Sequence, residues 1–380
     1  MILASRIFAP EPAAASFRLK ALVEALAEAN ADVTVLTTTP PTTNGYRPPA
    51  GVRVRRWPAL RDKSGYVRGY VPYLSFDLPL ALRLLLARRP DVVVVEPPPT
   101  TGAVVRVVCA LRRIPYVYYA ADLWSDAARA AGMHPLVHKA LRWLERFAMG
   151  GARTLLSVSD QVTERLTAWS LGERTATVGN GIDTSVFTLH GPVQEVAGRV
   201  LVYAGTASEV HGAGIFVDAM PDVLAQFPDA HLVFIGHGAE IGQLQQAAAQ
   251  LPAGVVTFLP RQEPAIVAAW LRRADISVAS VRPGEYGFAF PSKIYAAAAC
   301  GAPVVYAGSG PARTLVREAK LGAAVPYDPR AVAVAIKAAL SQTARPEDRE
   351  RRATWAATHA SLRETGRRAA RGSLRTVTAR

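Results

Sequence analysis

Short, continuous apolar runs alternate along this chain with longer stretches of helical period. Ala31–Thr38 (ADVTVLTT), Asp91–Glu96 (DVVVVE), Pro115–Ala120 (PYVYYA) and Thr154–Val158 (TLLSV) each read as a buried strand. Between them, Phe17–Asn30, Leu78–Arg89, Gly102–Arg113 and Pro135–Met149 repeat apolar residues with a helical period. Single helices between such strands imply right-handed crossovers and a parallel sheet covered on both faces. The series restarts at Arg199–Ala204 (RVLVYA), with a Gly-rich loop and a helix over Ile215–Phe227. His231–Ile235, Val255–Phe258, Asp275–Ala279 and Pro303–Ala307 continue it. The pattern predicts an α/β protein of two doubly wound, Rossmann-like domains facing a cleft. Their expected bounds are residues 1–190 and 191–345, with Asp183–Gly198 as linker. A basic segment, 346–380, supplies a last helix near Thr354–Ala370 that packs back on the first domain.

Composition narrows the function class. Half of the 380 residues are hydrophobic and 19% are charged, which is globular composition. No apolar run approaches the roughly 20 residues that span a bilayer. Arg6 interrupts the N-terminal apolar stretch, against a signal peptide. Only Cys109 and Cys300 occur, so no disulfide framework is implied and a cytoplasmic setting fits. The net charge of +14 favours phosphorylated small molecules, an anionic membrane surface or nucleic acid. Ten Arg against four acidic residues fall in Ser341–Arg380, a segment that reads as a solvated helix face. No helix-turn-helix, zinc finger or aromatic-interleaved motif accompanies it, so nucleic acid is not the expected partner. Leu136–Met149 is amphipathic, with Lys139, Arg142 and Arg146. It reads first as a core-facing helix, although it would also suit a lipid-bearing acceptor and peripheral membrane contact.

Parallel α/β sheets bind ligands beyond the carboxyl ends of their strands, so the chemistry is sought in those loops. Ala9–Lys20 (APEPAAASFRLK) offers exposed amides at a helix start, with Ser16 as its expected N-cap. Arg18 there is either solvated or aimed at a phosphate. Ala204–Gly214 (AGTASEVHGAG) carries three glycines and suits close approach of a diphosphate, and Gly236–Gly238 (GHG) has the same character. The segment Ser280–Lys293 (SVRPGEYGFAFPSK) leads into an Ala-rich helix, with Arg282 and Lys293 bracketing an anion clamp. Asp122, in AADLWSD, is either an acid/base or acceptor group or a helix cap. His134 and His138 lack a third ligand and HEXXH is absent, so no metal site is expected.

Taken in order, these pieces resemble the family-four glycosyltransferases of GT-B fold. The marks are ADLW at Ala121–Trp124, VS at Val158–Ser159, NGID at Asn180–Asp183, and VYAG at Val202–Gly205. FIGHG at Phe234–Gly238, RRADISVA at Arg272–Ala279 and PSKIYAAAACGAPVV at Pro291–Val305 complete them. The resemblance implies a retaining, metal-independent transferase with no cofactor beyond its nucleotide-diphosphate sugar. The acceptor is a small molecule, a saccharide or a lipid-linked group, bound mainly by the first domain. By position, Gly205, Thr206, His211 and Gly236 would line the diphosphate, and Phe258 and Arg261 would approach the base. Phe288, Ala289, Phe290, Ser292 and Lys293 would meet the sugar and diphosphate. Ala14, Ala15 and Arg18 would cover the phosphate, and Asp122 would face the acceptor or the transferred sugar.

This sequence departs from the family at five positions. The paired glutamates read Phe288 and Ala296, and the Arg–Lys pair of the glycine loop reads Thr206 and His211. The His often preceding the first-domain Asp reads Ala121. Glu285 is a substitute for the first glutamate, and Arg282, Lys293 and His211 are substitutes for the cations. An inactive nucleotide-sugar-binding protein and a nucleotide-sugar epimerase are the competing readings. An NAD-dependent oxidoreductase lacks its glycine fingerprint.

Overall fold

A computed structural model describes all residues except 12, 42–44, 63–64, 66, 68, 131, 285–289, 343–344 and 379–380. The chain divides into two units, Met1–Asn180 with Leu362–Arg380, and Gly181–Ser361.

The first unit begins β1 (Ile2–Ala4), α1 (Ala14–Glu28), β2 (Val33–Thr38), β3 (Val52–Trp57) and α2 (Tyr70–Leu86). It continues β4 (Val93–Val95), α3 (Pro99–Arg112), β5 (Tyr116–Ala120), α4 (Trp124–Ala130) and α5 (Pro135–Gly150). It ends β6 (Thr154–Ser157), α6 (Asp160–Ala168) and β7 (Thr175–Thr177). All pairings are parallel, in the order β3-β2-β1-β4-β5-β6-β7. Strand β5 shows why its sequence is apolar throughout. Tyr116, Tyr118 and Ala120 face a layer containing α2, α3 and α5, while Val117 and Tyr119 face α1. Both sets are buried, as a sheet covered on two sides requires.

The second unit runs β8 (Arg199–Ala204), α7 (Gly214–Leu224), β9 (Ala230–Ile235), α8 (Ile241–Ala248), β10 (Val256–Leu259) and α9 (Pro264–Arg273). Then follow β11 (Ile276–Ser280), α10 (Lys293–Ala299), β12 (Val304–Ala307), α11 (Pro311–Glu318), β13 (Gly322–Val325), α12 (Pro329–Leu340) and α13 (Pro346–His359). Its parallel order is β10-β9-β8-β11-β12-β13. Helices α7 and α12 cover one face, and α9, α10 and α13 the other.

The tail differs from the single helix expected near Thr354–Ala370. It is two helices: α13 belongs to the second unit, and α14 (Leu362–Thr378) lies on α1 in the first. The break falls where Ile182 N donates to Ala360 O at 2.8 Å, within the second unit. Residues 181–198 likewise belong to that unit instead of forming a free linker. Arg272 holds them, donating to Thr188 O and Pro192 O at 3.1 and 2.7 Å.

Nor are the tail arginines simply solvated. Arg349 donates to Arg272 O and Cys300 O, Arg352 to Gly301 O, and Arg351 to Lys320 O, at 2.7 to 3.2 Å. These carbonyls end α9, α10 and α11, where unsatisfied acceptors and the negative end of the dipole favour cations. In α14, Arg363 and Arg367 pair with Glu28 of α1.

Helix α14 approaches α1 closely at Gly366, where an added Cβ would stand 2.4 Å from Ala21 O. Gly366→Val should therefore push the two helices apart. The expected cost is about 1–3 kcal/mol in urea unfolding, and an unchanged midpoint would refute this packing.

Candidate functional site

In a doubly wound sheet the strand order reverses between the first and fourth strands, and a crevice opens beyond their carboxyl ends. In the second unit these strands are β8 and β11, which pair directly. The loop 205–213 and residues 281–284 therefore leave the sheet side by side. Arg282 N donates to Val210 O at 2.9 Å, and Ser280 Oγ donates to His211 O at 2.7 Å. From beyond β13, Tyr327 Oη donates to Gly212 O at 2.6 Å.

The GHG loop after β9 supports the same place from beneath. Gly205 N donates to Ile235 O and Ala207 N to His237 O, at 2.8 and 2.9 Å. A Cβ on Gly236 would lie 2.2 Å from Gly205 O, and one on Gly238 would lie 1.8 Å from Ala207 O. Their φ angles are 147° and 152°, which side chains rarely adopt. These two glycines thus let one loop rest on the other, and Gly205 and Thr206 stay exposed above them.

Against Gly205 lies Lys293, the first residue of α10. A Cβ on Gly205 would touch its Cε at 3.2 Å. Its Nζ stands 3.7 Å from the centre of the Tyr203 ring, cut off from solvent and without a hydrogen-bond partner. Tyr203 is itself fixed, its ring 5.2 Å from Phe234 and its hydroxyl donating to Thr206 O at 2.8 Å. Burial pushes the Lys293 pKa down to about 7. His211 shares the spot, its Nδ1 2.9 Å from Ser208 Oγ. Burial, and then the Lys293 charge, push its pKa down to about 4, so the ring is neutral at physiological pH. An anion on the 205–213 loop would give the ammonium the partner it lacks.

The other expected residues take varied places. Arg282 is exposed and ion-paired with Glu240 at 3.2 Å. Phe258 stacks on Phe234 at 5.1 Å at the end of β10, two strands from β8, with Arg261 exposed beyond it. Phe290 stacks on Tyr295 at 4.9 Å. Ser292 is exposed and makes no side-chain cap on α10. Glu285, Phe288 and Ala289 lie outside the described residues. Glu240 and Tyr327 had no signal in the sequence, because each matters through a contact made far along the chain, with Arg282 and Gly212.

In the first unit the corresponding reversal lies between β1 and β4. Arg18, expected either to be solvated or to face a phosphate, is 6% exposed and pairs with the equally buried Glu96 at 3.2 Å. Ser5 Oγ lies 2.8 Å from the other Glu96 oxygen. Burial pushes the Glu96 carboxyl up, and the Arg18 charge opposes it. Ala14 and Ala15 open α1, so Ser16, expected as its N-cap, sits inside the first turn and is buried. Asp122 is exposed just beyond β5. It does not cap the next helix: the Glu145 carboxylate, reaching from α5, accepts from Trp124 N and Ser125 N of α4.

Comparison with known proteins matches both units to glycosyltransferase models. Residues 14–181 match the glycosyl transferase 4-like domain, and residues 198–342 match the glycosyl transferases group 1. The chain belongs to the family-four glycosyltransferases. A phosphatidyl-myo-inositol mannosyltransferase of Mycobacterium tuberculosis is 31% identical over 179 residues, 46% of this chain and 45% of that protein. A D-inositol 3-phosphate glycosyltransferase of Geodermatophilus obscurus is 28% identical over 57% of this chain and 52% of its own length. The matched stretch thus spans about half of each curated relative. The crystal structure of Anabaena HepE in complex with UDP superposes with a TM-score of 0.71 at 15% identity, covering 100% of this chain and 99% of that one. Its likeness establishes the GT-B fold of two Rossmann-like domains.

Within that family the position of the second glutamate is held here by Ala296, buried in the wall between α10 and the sheet. The loop cations are replaced by an exposed Thr206 and a neutral His211. Among the described residues around this loop, Lys293 Nζ is buried without a hydrogen-bond partner.

The lowered pKa of Lys293 has a consequence for stability. Between pH 7 and the unfolded value of about 10.4, the unfolded chain holds a proton that the native one lacks. Native stability therefore rises with pH across that window. Lys293→Met removes the burial cost, so it should melt higher than the parent at or below pH 7, with the gain fading toward pH 10. Equal melting temperatures at pH 6.5, or a gain that grows with pH, would contradict a buried ammonium.

Proposed function

We propose that this chain transfers a sugar from a nucleotide-diphosphate donor to an acceptor hydroxyl, with retention and without a metal. The observation that carries the reading is the unpartnered Lys293 ammonium against Gly205, at the strand reversal of the second unit. A buried cation without a counter-ion is costly in a fold and is worth keeping where an anion arrives. The UDP in the HepE structure supports a nucleoside diphosphate as that anion. In the proposed complex the donor's diphosphate would lie over the 205–213 loop and its base toward Phe258 and Arg261.

As the bond from the anomeric carbon to the diphosphate breaks, negative charge gathers on the departing oxygen. A cation already in place stabilises that charge without reorganising, which lowers the barrier. The acceptor oxygen bonds to the anomeric carbon on the face the diphosphate leaves, and its proton passes to the departing phosphate oxygen. No protein nucleophile is required. Asp122, exposed beyond β5, is assigned to the acceptor, and the inositol-linked names of the curated relatives support a polyol or lipid-linked hydroxyl there.

A thermal-shift series with UDP, GDP, dTDP and their sugars tests the donor. The matching diphosphate should stabilise by about 2.7 kcal/mol at a hundred times its Kd. Given that donor and an acceptor, the product should keep the donor's anomeric configuration. Lys293→Ala should lower kcat by about 10²–10³-fold while still folding. Near-normal turnover in that variant would remove Lys293 from the clamp. Conversion of the sugar without acceptor would establish an epimerase instead, and binding without any turnover an inactive binder.

A further inference from the structure

One helical layer of the first unit is apolar on both of its sides. Its inner side supplies Phe76, Leu80, Leu84, Val105, Val108 and Met149 to the core. On the outer side of α2, Val71, Leu74, Leu78, Leu82 and Leu85 recur at three- and four-residue spacing, and all are exposed. Helix α2 packs on α3, and α3 on α5. Those neighbours add exposed Val107 and Leu111, and Leu136 and Trp143. Scattered exposed leucines are ordinary, but a continuous apolar layer marks a surface that meets something.

Charge says what it meets. The three helices hold only two carboxylates, Asp77 and Glu145, and both are 1% exposed and occupied inward. Thr101 Oγ1 donates to Asp77 at 2.6 Å, and Glu145 caps α4. Against them stand Lys139, Arg142 and Arg146, all exposed, while the half-buried Arg83, Arg106 and Arg112 donate to the carbonyls of Arg55, Phe147 and Leu84. Arg88, Arg89 and Arg113 extend the exposed cations just past the ends of α2 and α3. A second copy of the chain would set these like charges against each other, which disfavours self-association through this face. A surface rich in anionic headgroups meets both demands, because cations pair with phosphates while leucines and Trp143 enter the acyl boundary.

We propose that the α2–α3–α5 face seats this chain on an anionic lipid bilayer as a peripheral protein. No helix among the described residues is long and apolar enough to cross a membrane, so the contact lies in the interface plane. The proposal does not depend on which reaction the second unit performs.

Co-sedimentation of the full chain with phosphatidylcholine vesicles, alone or with about one-third phosphatidylglycerol, tests it. Binding should need the anionic lipid and should weaken as salt screens the charges. Two exposed-residue pairs separate the parts: Leu78→Ser with Leu82→Ser, and Lys139→Glu with Arg146→Glu. Each pair should lower the partition coefficient by about tenfold or more, with the melting temperature and nucleotide-induced shift unchanged. Equal binding to neutral vesicles, or full binding by either pair, would overturn the proposal. So would a dimer in solution that the leucine pair dissociates, since the face would then belong to a second copy.

Discussion

Both sheets in this chain are parallel, and a parallel sheet has no face that water can be left to cover. Each strand residue then has to find a side-chain layer above or below it, as the alternation of Tyr118 and Tyr119 in β5 shows. The demand explains the long return of the chain at its end. Helix α1 supplies Leu19, Leu22 and Leu26 over strands of the first sheet, and α14 brings Ala369 and Ala370 to the same cluster. A helix face of small residues fits because it must lie very close, which Gly366 permits. The break before α14 lets α13 do the equivalent work in the second unit. There, Ala356 joins the core and three arginines satisfy the ends of neighbouring helices.

The same architecture places a buried cation at the strand reversal of each unit, and the two are treated in opposite ways. Arg18 meets Glu96, carried just past the end of β4, so its charge is balanced within the fold. Lys293 has Tyr203, Gly205 and a neutral His211 for neighbours, and no carboxylate. A cation–π contact recovers part of the lost hydration, but it does not neutralise the charge. Paired burial is compatible with a purely structural role, whereas an unpaired ammonium beside an exposed glycine loop waits for a ligand. This contrast, more than the glycines themselves, carries the proposal that the donor binds at the second unit. It also suggests how a chain without the family's loop cations could keep a phosphate clamp: the charge has moved from the loop to the helix beside it.

Strands buried on both faces were legible because continuous apolar runs can be seen in a sequence. Arg199–Ala204 matches its strand end to end, and the Ala31–Thr38 and Pro115–Ala120 runs contain theirs. Among the edge strands, β10 was read as Val255–Phe258, while β3, β7 and β13 were not. Strand β3 reads VRVRRW, with Arg53 and Arg55 exposed as edge protection while Arg56 donates to Thr38 O and Ala9 O. Strand β13, GAAV, carries too little apolar bulk to register. In the site, the glycine loops and Lys293 were readable, while their division of labour was not. Gly236 proves to be a spacer under Gly205, because its neighbour is backbone from another strand. Glu145 was invisible as a cap for the same reason: its partners lie 20 residues back, across a turn between helices.

The excess positive charge illustrates why composition alone misleads about partners. A net charge of +14 is compatible with any polyanion, and the tail contributes much of it. Yet in the tail Arg349, Arg351 and Arg352 serve helix carbonyls, while Arg363 and Arg367 share Glu28. Those charges are largely answered within the chain. On α2 and α3, Arg83, Arg106 and Arg112 also donate to backbone carbonyls, but Lys139, Arg142 and Arg146 of α5 are exposed, and both carboxylates of these helices are buried and engaged elsewhere. Leucines in the same layer argue further against nucleic acid, which offers phosphates but no apolar depth. The proposed partner thus rests on what stands between the cations, and there the chain places hydrocarbon.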